Sequence, residues 1–249
     1  MSKQIARYRA DRDAMGHMLL DYYNSGDALQ IIEREDGLID GSDYVGNYFA
    51  DFSDWPAFEQ EAIRHLVPGR TLDLGCGAGR VALYLQSQAC EVTGIDNSPL
   101  AIEVCRLRGV QDARVMSITQ VGPGLGTFSN IAMFGSNWGL MGSYPQAKRL
   151  LRRFYQITTP GARILAASNN IYGTSDPLHL NYHAYNRERG RMPGQIRMRV
   201  RHSVYRTAWF DYLMVSKEEM QEILSGSGWG VEQFIDSEGA AYTAVIVKE

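Results

Sequence analysis

Thr71-Leu72-Asp73-Leu74-Gly75-Cys76-Gly77-Ala78-Gly79-Arg80 reads as a short buried strand running into a glycine-rich turn and then a helix. Three glycines at alternating positions let the backbone pass close to a bound molecule, because no Cβ stands in the way. The following helix, from about Arg80, aims its unpaired N–H groups at the same place. Asp96 ends the next apolar run, Glu91-Val92-Thr93-Gly94-Ile95. An acidic residue about twenty positions past the first glycine is where a ribose-binding carboxylate sits in Rossmann-like units. The ligand is therefore expected to be a nucleoside with a free ribose diol, and dinucleotides and S-adenosylmethionine both qualify.

Asp73 separates these two. It lies at the mouth of the loop, where a dinucleotide would place its pyrophosphate, and like charges in a partly dry site repel by several kcal/mol. S-adenosylmethionine brings an ammonium and a sulfonium, which a carboxylate attracts. The glycine spacing is also Gly-x-Gly-x-Gly, not the Gly-x-Gly-x-x-Gly of dinucleotide folds. The strings LDLGCGAGR and VTGIDNSPLAIEV are similar to the first two motifs of the class I S-adenosylmethionine-dependent methyltransferases. The resemblance covers residues 56–168 well and the C-terminal helix and strands in outline.

Around this centre, strand and helix patterns alternate five times. Helical stripes fall at 56–66, 80–88, from Ser98-Pro99 to Gly109, and at 145–157. Strand runs fall at 71–74, 91–95, 113–116, 128–134 and 162–168. Alternation of this kind predicts a parallel sheet with helices on both faces. Ser216-x-x-Glu219 is a capping box opening a helix at 217–224, and two apolar strands follow at 230–235 and 242–247. The resemblance implies a doubly wound α/β fold with a mostly parallel seven-stranded sheet, the last two strands forming a hairpin.

Four segments are expected. Residues 1–55 form an N-terminal helical and aromatic cap, with helix-like spacing over Ile5, Tyr8, Met15, Met18, Leu19 and Tyr22. Residues 56–168 are the cofactor-binding core, 169–216 a substrate lid inserted after the fifth strand, and 217–249 the completion of the core. Within the lid, residues 195–204 alternate as a strand does, with Arg197, Arg199 and Arg201 on one face and Ile196, Met198 and Val200 on the other.

Carried over from the resembled family, Asp73, Gly75, Cys76, Gly77 and Gly79 line the methionine and ribose side. Asp96 takes the ribose diol with Asn97 beside it, Met116 and Ser117 lie near the adenine, and Phe134 and Gly135 form the floor. Tyr48 is expected to offer its ring to the sulfonium, and Trp55 to touch the substrate. After the fourth strand stands Gly135-Ser136-Asn137-Trp138, not the Asn/Asp-Pro-Pro-aromatic signature of amino-methylating enzymes. Asn137 and Trp138 either touch the acceptor or stabilise the turn. His179 and His183, four apart, would share a helix face. They are candidate bases, with His179 first because it follows an Asp-Pro turn; a metal pair or plain lid packing are the other readings. Arg189, within an arginine-rich stretch, is the candidate for an acceptor carboxylate or phosphate.

Composition narrows the setting. Hydrophobic residues make up 45% and charged residues 21%, ordinary for a chain that buries a core. A net charge of −3 gives no global field toward nucleic acid or an anionic membrane. No apolar run approaches the ~18 residues of a membrane span, and the first residues lack the apolar centre of a secretion signal, so a cytoplasmic location is expected. Cys76, Cys90 and Cys105 form neither a disulfide framework nor a zinc site. The expected activity is metal-independent methyl transfer from S-adenosylmethionine to a small-molecule acceptor, with no nucleic-acid or membrane partner. An RNA or protein methyltransferase docking through the arginine-rich lid, and a non-catalytic S-adenosylmethionine-binding protein, are the alternatives.

Overall fold

The computed structural model describes residues 9–42 and 44–249; the expected helical points Ile5 and Tyr8 lie outside them. Helix α1 (Ala14–Ser25) starts where the Asp13 side chain accepts from Gly16 N, and it stops at Gly26, which adopts a left-handed φ of 76°. A hairpin follows, β1 (Gln30–Arg34) and β2 (Ile39–Ser42). Helix α2 (Ala57–Ala62) leads into the alternating core: β3 (Thr71–Leu74), α3 (Arg80–Ser87), β4 (Val92–Asp96), α4 (Pro99–Leu107), β5 (Ala113–Val115), β6 (Phe128–Met133), α5 (Tyr144–Gln156) and β7 (Thr158–Asn169). The inserted segment holds α6 (Pro177–Glu188), β8 (Gln195–His202), β9 (Tyr205–Arg206) and β10 (Phe210–Leu213). Helix α7 (Lys217–Leu224) and strands β11 (Trp229–Asp236) and β12 (Ala241–Lys248) close the chain.

The main sheet has the order β11-β12-β7-β6-β3-β4-β5. Neighbours from β7 to β5 pair in parallel, and only β12 runs against them. Leu72, Phe128, Leu151, Phe154 and Met220 bury one face under α5 and α7. Val81, Leu85, Ile102 and Leu165 bury the other under α3 and α4. A strand apolar on both faces is what helices on both sides require, and β3 is buried at all of its positions. The loops at the carboxyl ends of β3, β4 and β6 therefore open on one edge of the sheet, the place where such folds bind ligands.

The second sheet departs from the sequence expectation. Its order is β10-β8-β1-β2, with β9 paired to β8, and all its pairings are antiparallel. The segment before residue 56 is thus not only helix and aromatics: its hairpin is completed by the inserted strands, Ile32 pairing with Val200 and Arg34 with Met198. The physical cause is edge satisfaction, since a lone hairpin is marginal in water and gains stability from added strands. No helix among the described residues is long and apolar enough to cross a membrane.

Candidate active site

The glycine turn is built by hydrogen bonds to the neighbouring strand: the N–H groups of Gly75 and Cys76 both donate to Ile95 O, at 2.9 and 3.0 Å. Gly75 and Gly77 take φ of 71° and 53°, a region that strains other residues. A Cβ at Gly75 would stand 2.8 Å from Asn137 Nδ2, and one at Gly77 would stand 3.3 Å from the Tyr48 ring. Gly79 serves the turn from behind: a Cβ there would strike Val110 at 2.6 Å, and the residue does not line the cavity. The expectation that Gly79 contacts the ligand is corrected accordingly.

Two carboxylates face this turn. Asp96 accepts from Gly77 N at 3.1 Å and Ser98 N at 2.9 Å, which locks the end of β4 onto the turn; burial raises its pKa. Asp73 is 2% exposed, and its Oδ2 has no hydrogen-bond partner among the described residues. Burial pushes its pKa up to about 7, against a smaller opposing pull from Arg80. An orphaned buried carboxylate oxygen beside a cradle with no Cβ is suited to a cationic group on a nucleoside, and a pyrophosphate there would meet an acid.

Behind the cradle, Glu59 is buried and unforeseen. Its carboxylate accepts from Gly135 N at 2.8 Å and from Arg80 at 2.7 Å. The Arg80 guanidinium in turn lies 4.4 Å from the Trp55 ring. Trp55 is 3% exposed, donates to Ala50 O and packs on Phe52, Tyr84 and Phe134. It is a wall behind Arg80 and does not line the cavity. Trp138 is fully buried in the core, which removes it from the acceptor site too. Asn137 lines the cavity, and its Nδ2 donates to Leu74 O and Gly75 O at 2.8 and 2.9 Å, so it also stabilises the turn. Arg189 is exposed on α6's far end, over the Tyr185 ring at 3.4 Å, outside the cavity.

Tyr48, Cys76, Asn97, Met116, Ser117, Phe134 and Gly135 line the same cavity as Asp73 and Asp96. The Ser117 hydroxyl is already engaged with Thr119, at 2.9 Å. Cys76 has its Sγ 3.8 Å from that of Cys105, and the neighbouring thiol together with burial holds its own proton tightly. Such a thiol is a poor nucleophile, in keeping with a small filler in a tight turn.

The cavity has a volume of about 1900 Å³. The second sheet lines it with Ile32 and Arg34 of β1, Asp40 of β2, Ile196, Met198 and Val200 of β8, and Phe210, Asp211 and Tyr212 of β10. Tyr212 donates from its hydroxyl to Ser136 O at 2.5 Å, fastening this sheet to the loop after β6. His179 and His183 both line the cavity from α6, which begins at the Asp176 cap with Pro177 in its first turn. Their surroundings differ. His179 Nδ1 lies 3.0 Å from Arg34 Nη1 and is engaged. His183 makes no hydrogen bond among the described residues and touches Tyr172. Burial, with Arg187, His179 and Arg34 nearby, lowers the His183 pKa, so its imidazole is neutral and free to take a proton at pH 7. Arg34, Glu59 and Tyr212 escaped the sequence reading. Only Arg34 had a local signal, the Asp36-Gly37 turn that closes the hairpin after it.

Comparison with known proteins bears on the cradle. A family model described as a methyltransferase domain matches residues 71–161, from β3 into β7. A solved SAM-dependent methyltransferase from Bacteroides fragilis, in complex with S-adenosyl-L-homocysteine, is similar with a TM-score of 0.81 and 26% identity over 96% of each chain. A SAM-dependent methyltransferase from Methanosarcina mazei shares the fold, with a TM-score of 0.58 at 16% identity over 75% of this chain and 96% of that one. So does the 1,6-didemethyltoxoflavin-N1-methyltransferase of Burkholderia thailandensis, at 0.50 and 18% over 83% and 85%. A 43-residue stretch, 17% of the chain, is 44% identical to hemagglutinin 1 of Eikenella corrodens, and this match spans 14% of that protein's length. With the glycine cradle and its two acids inside the matched region, these findings support a class I S-adenosylmethionine-dependent methyltransferase.

Proposed function

We propose that the protein transfers a methyl group from S-adenosylmethionine to a small organic acceptor held between the two sheets, handling protons with side chains and without a metal. One observation carries the choice of acceptor: apolar side chains of β1, β8 and β10 face the cradle across the cavity and cover it. A largely apolar lining with a few polar groups is the kind of site that takes a small organic molecule. Arginines that would make a docking surface for a polymer are in part paired with acids in or beside the second sheet, while Arg187 and Arg189 are exposed. Arg199 holds Glu33 through two hydrogen bonds of 2.8 Å, Arg197 pairs with Asp211, Arg201 with Glu33 and Arg191 with Glu35.

When bound, the donor supplies a methyl group already activated on a sulfonium. The chain's own residues bind, align and move a proton. Asp73 would hold the ammonium of the methionine moiety, and Asp96 the ribose hydroxyls. The Glu59–Arg80 pair keeps the loop after β6 in register with the cradle through Gly135. His183 would take the proton of a protic acceptor as its atom is methylated. Among the described residues no group of three or more His, Cys, Asp or Glu is placed to hold a metal ion.

Isothermal titration with S-adenosylhomocysteine, then methyl transfer to a panel of small acceptors, tests the reading. Binding is expected, and His183→Gln should lower turnover roughly 100-fold with S-adenosylhomocysteine affinity unchanged. Binding of a nicotinamide dinucleotide in place of S-adenosylhomocysteine overturns the reading. Salt-sensitive RNA binding moves the acceptor to a polymer, and cofactor binding with no turnover on any acceptor makes the protein a binding subunit.

A further inference from the structure

Arg34 reaches from β1 to α6, 145 positions later in the chain. It is 6% exposed and its guanidinium is almost fully committed. Nε and Nη2 hold both oxygens of Asp36 at 2.8 and 2.7 Å, and Nη2 also reaches Leu178 O at 3.3 Å. The group lies 4.1 Å from the Tyr182 ring centroid. Nη1 is 3.0 Å from His179 Nδ1. A guanidinium has donors and no acceptor. The nitrogen it faces must therefore present a lone pair, and the ring proton of a neutral His179 must sit on Nε2.

We propose that Arg34 is a positioning residue that holds His179 as its Nε2–H tautomer, so that α6 shows the acceptor one N–H donor, at His179, beside one proton acceptor, at His183. This rests on the methyl-transfer reading with His183 as base. Residues four apart on a helix are neighbours, ~5–6 Å between Cβ atoms, so both rings can meet one small molecule. A donor next to a base matches an acceptor that carries an O–H or N–H to be methylated and, on a neighbouring atom, an oxygen that accepts a hydrogen bond. The donor holds that oxygen while the base removes the adjacent proton. The charged and titratable groups around the pair include Arg34 and Asp36 from the hairpin, Tyr172 from the loop before α6, and Tyr182 and Arg187 from α6 itself. Asp36 answers most of the charge of Arg34, which reaches His179 through its hydrogen bond and His183 only as a residual charge.

The test uses the full chain labelled with 15N-histidine and long-range proton–nitrogen NMR, which reports the tautomer of each ring without any turnover. His179 is expected to show a protonated Nε2 and a bare Nδ1. Arg34→Met should spread it over both tautomers, and Arg34→Lys, which still only donates, should restore the pattern. A protonated Nδ1 in the unaltered protein overturns the proposal even if the variant fails to fold, and so does a pattern that Arg34→Met leaves unchanged. In turnover, Arg34→Met should cost roughly tenfold in kcat with the KM for S-adenosylmethionine unchanged, and Arg34→Lys should recover most of it. Adding Arg34→Met to His179→Ala should cost nothing more, because both act through one ring; full additivity counts against the proposal. If instead His183→Gln keeps its turnover, the base assignment fails while the NMR pattern still decides the part played by Arg34.

Discussion

Asp73 is the residue whose burial has the clearest thermodynamic consequence. Its pKa is about 7 in the fold against an ordinary 3.8. The ligand-free native state therefore holds a proton between about pH 4 and 7 that the unfolded chain has released. Stability is thus greatest at the acid end of that window and falls as pH rises through it, by up to about 4 kcal/mol. Asp73→Asn should raise the melting temperature of the ligand-free protein at pH 8 and flatten this contribution, while weakening S-adenosylhomocysteine binding. The ammonium of that ligand favours the ionised carboxylate, so binding at pH 7 should release about half a proton. Titration calorimetry in buffers of different ionisation enthalpy reads this directly, and proton uptake would contradict the assignment. The places of Asp73, Gly75, Gly77 and Asp96 at the cavity were legible because they follow from spacing within two successive strand–turn–helix units. Glu59 was not, because nothing near it in sequence tells that its partners are Arg80 and Gly135, 21 and 76 positions on.

At the scale of elements, the cover of the cavity depends on a close fit between β10 and the turn after β6. A Cβ at Gly139 would lie 2.1 Å from the Tyr212 ring, and that ring is tethered through its hydroxyl to Ser136 O. Gly139→Ala should therefore push β10 outward, with an overpacking cost of about 1–3 kcal/mol. The expected signature is a raised acceptor KM with S-adenosylhomocysteine affinity changed much less; the reverse pattern would show that β10 does not border the acceptor. The hairpin of β1 and β2 carried a readable sign in Asp36-Gly37, where Gly37 takes a φ of 92°. The density of aromatics from Tyr44 to Trp55 drew the reading toward a packed cap instead. The alternation at β8 was read correctly, and its apolar face does line the cavity. What alternation cannot tell is the partner strand, because any strand of matching pleat satisfies the same edge.

Over the whole molecule, charge is arranged to close the second sheet on itself. With a net charge of −3 and Glu33, Glu35 and Asp211 answering the arginines of the inserted segment, a filter-binding assay at low salt should find no saturable affinity for single-stranded RNA. Affinity that falls steeply with added salt would instead mark phosphate contacts. The amino-acid sequence by itself determined the sheet of alternating strands and helices, the glycine cradle and the acids that choose its ligand, because each is set by periodicity and short spacing along the chain. Only the tertiary structure decided that the N-terminal hairpin and the inserted strands form one sheet beside the cradle, that Trp55, Trp138 and Arg189 lie outside the cavity, and that Arg34 engages His179 while His183 makes no hydrogen bond among the described residues. Those outcomes rest on burial and on contacts between segments as much as 170 residues apart, and the free energy of such contacts depends on which surfaces meet, which local patterning leaves open.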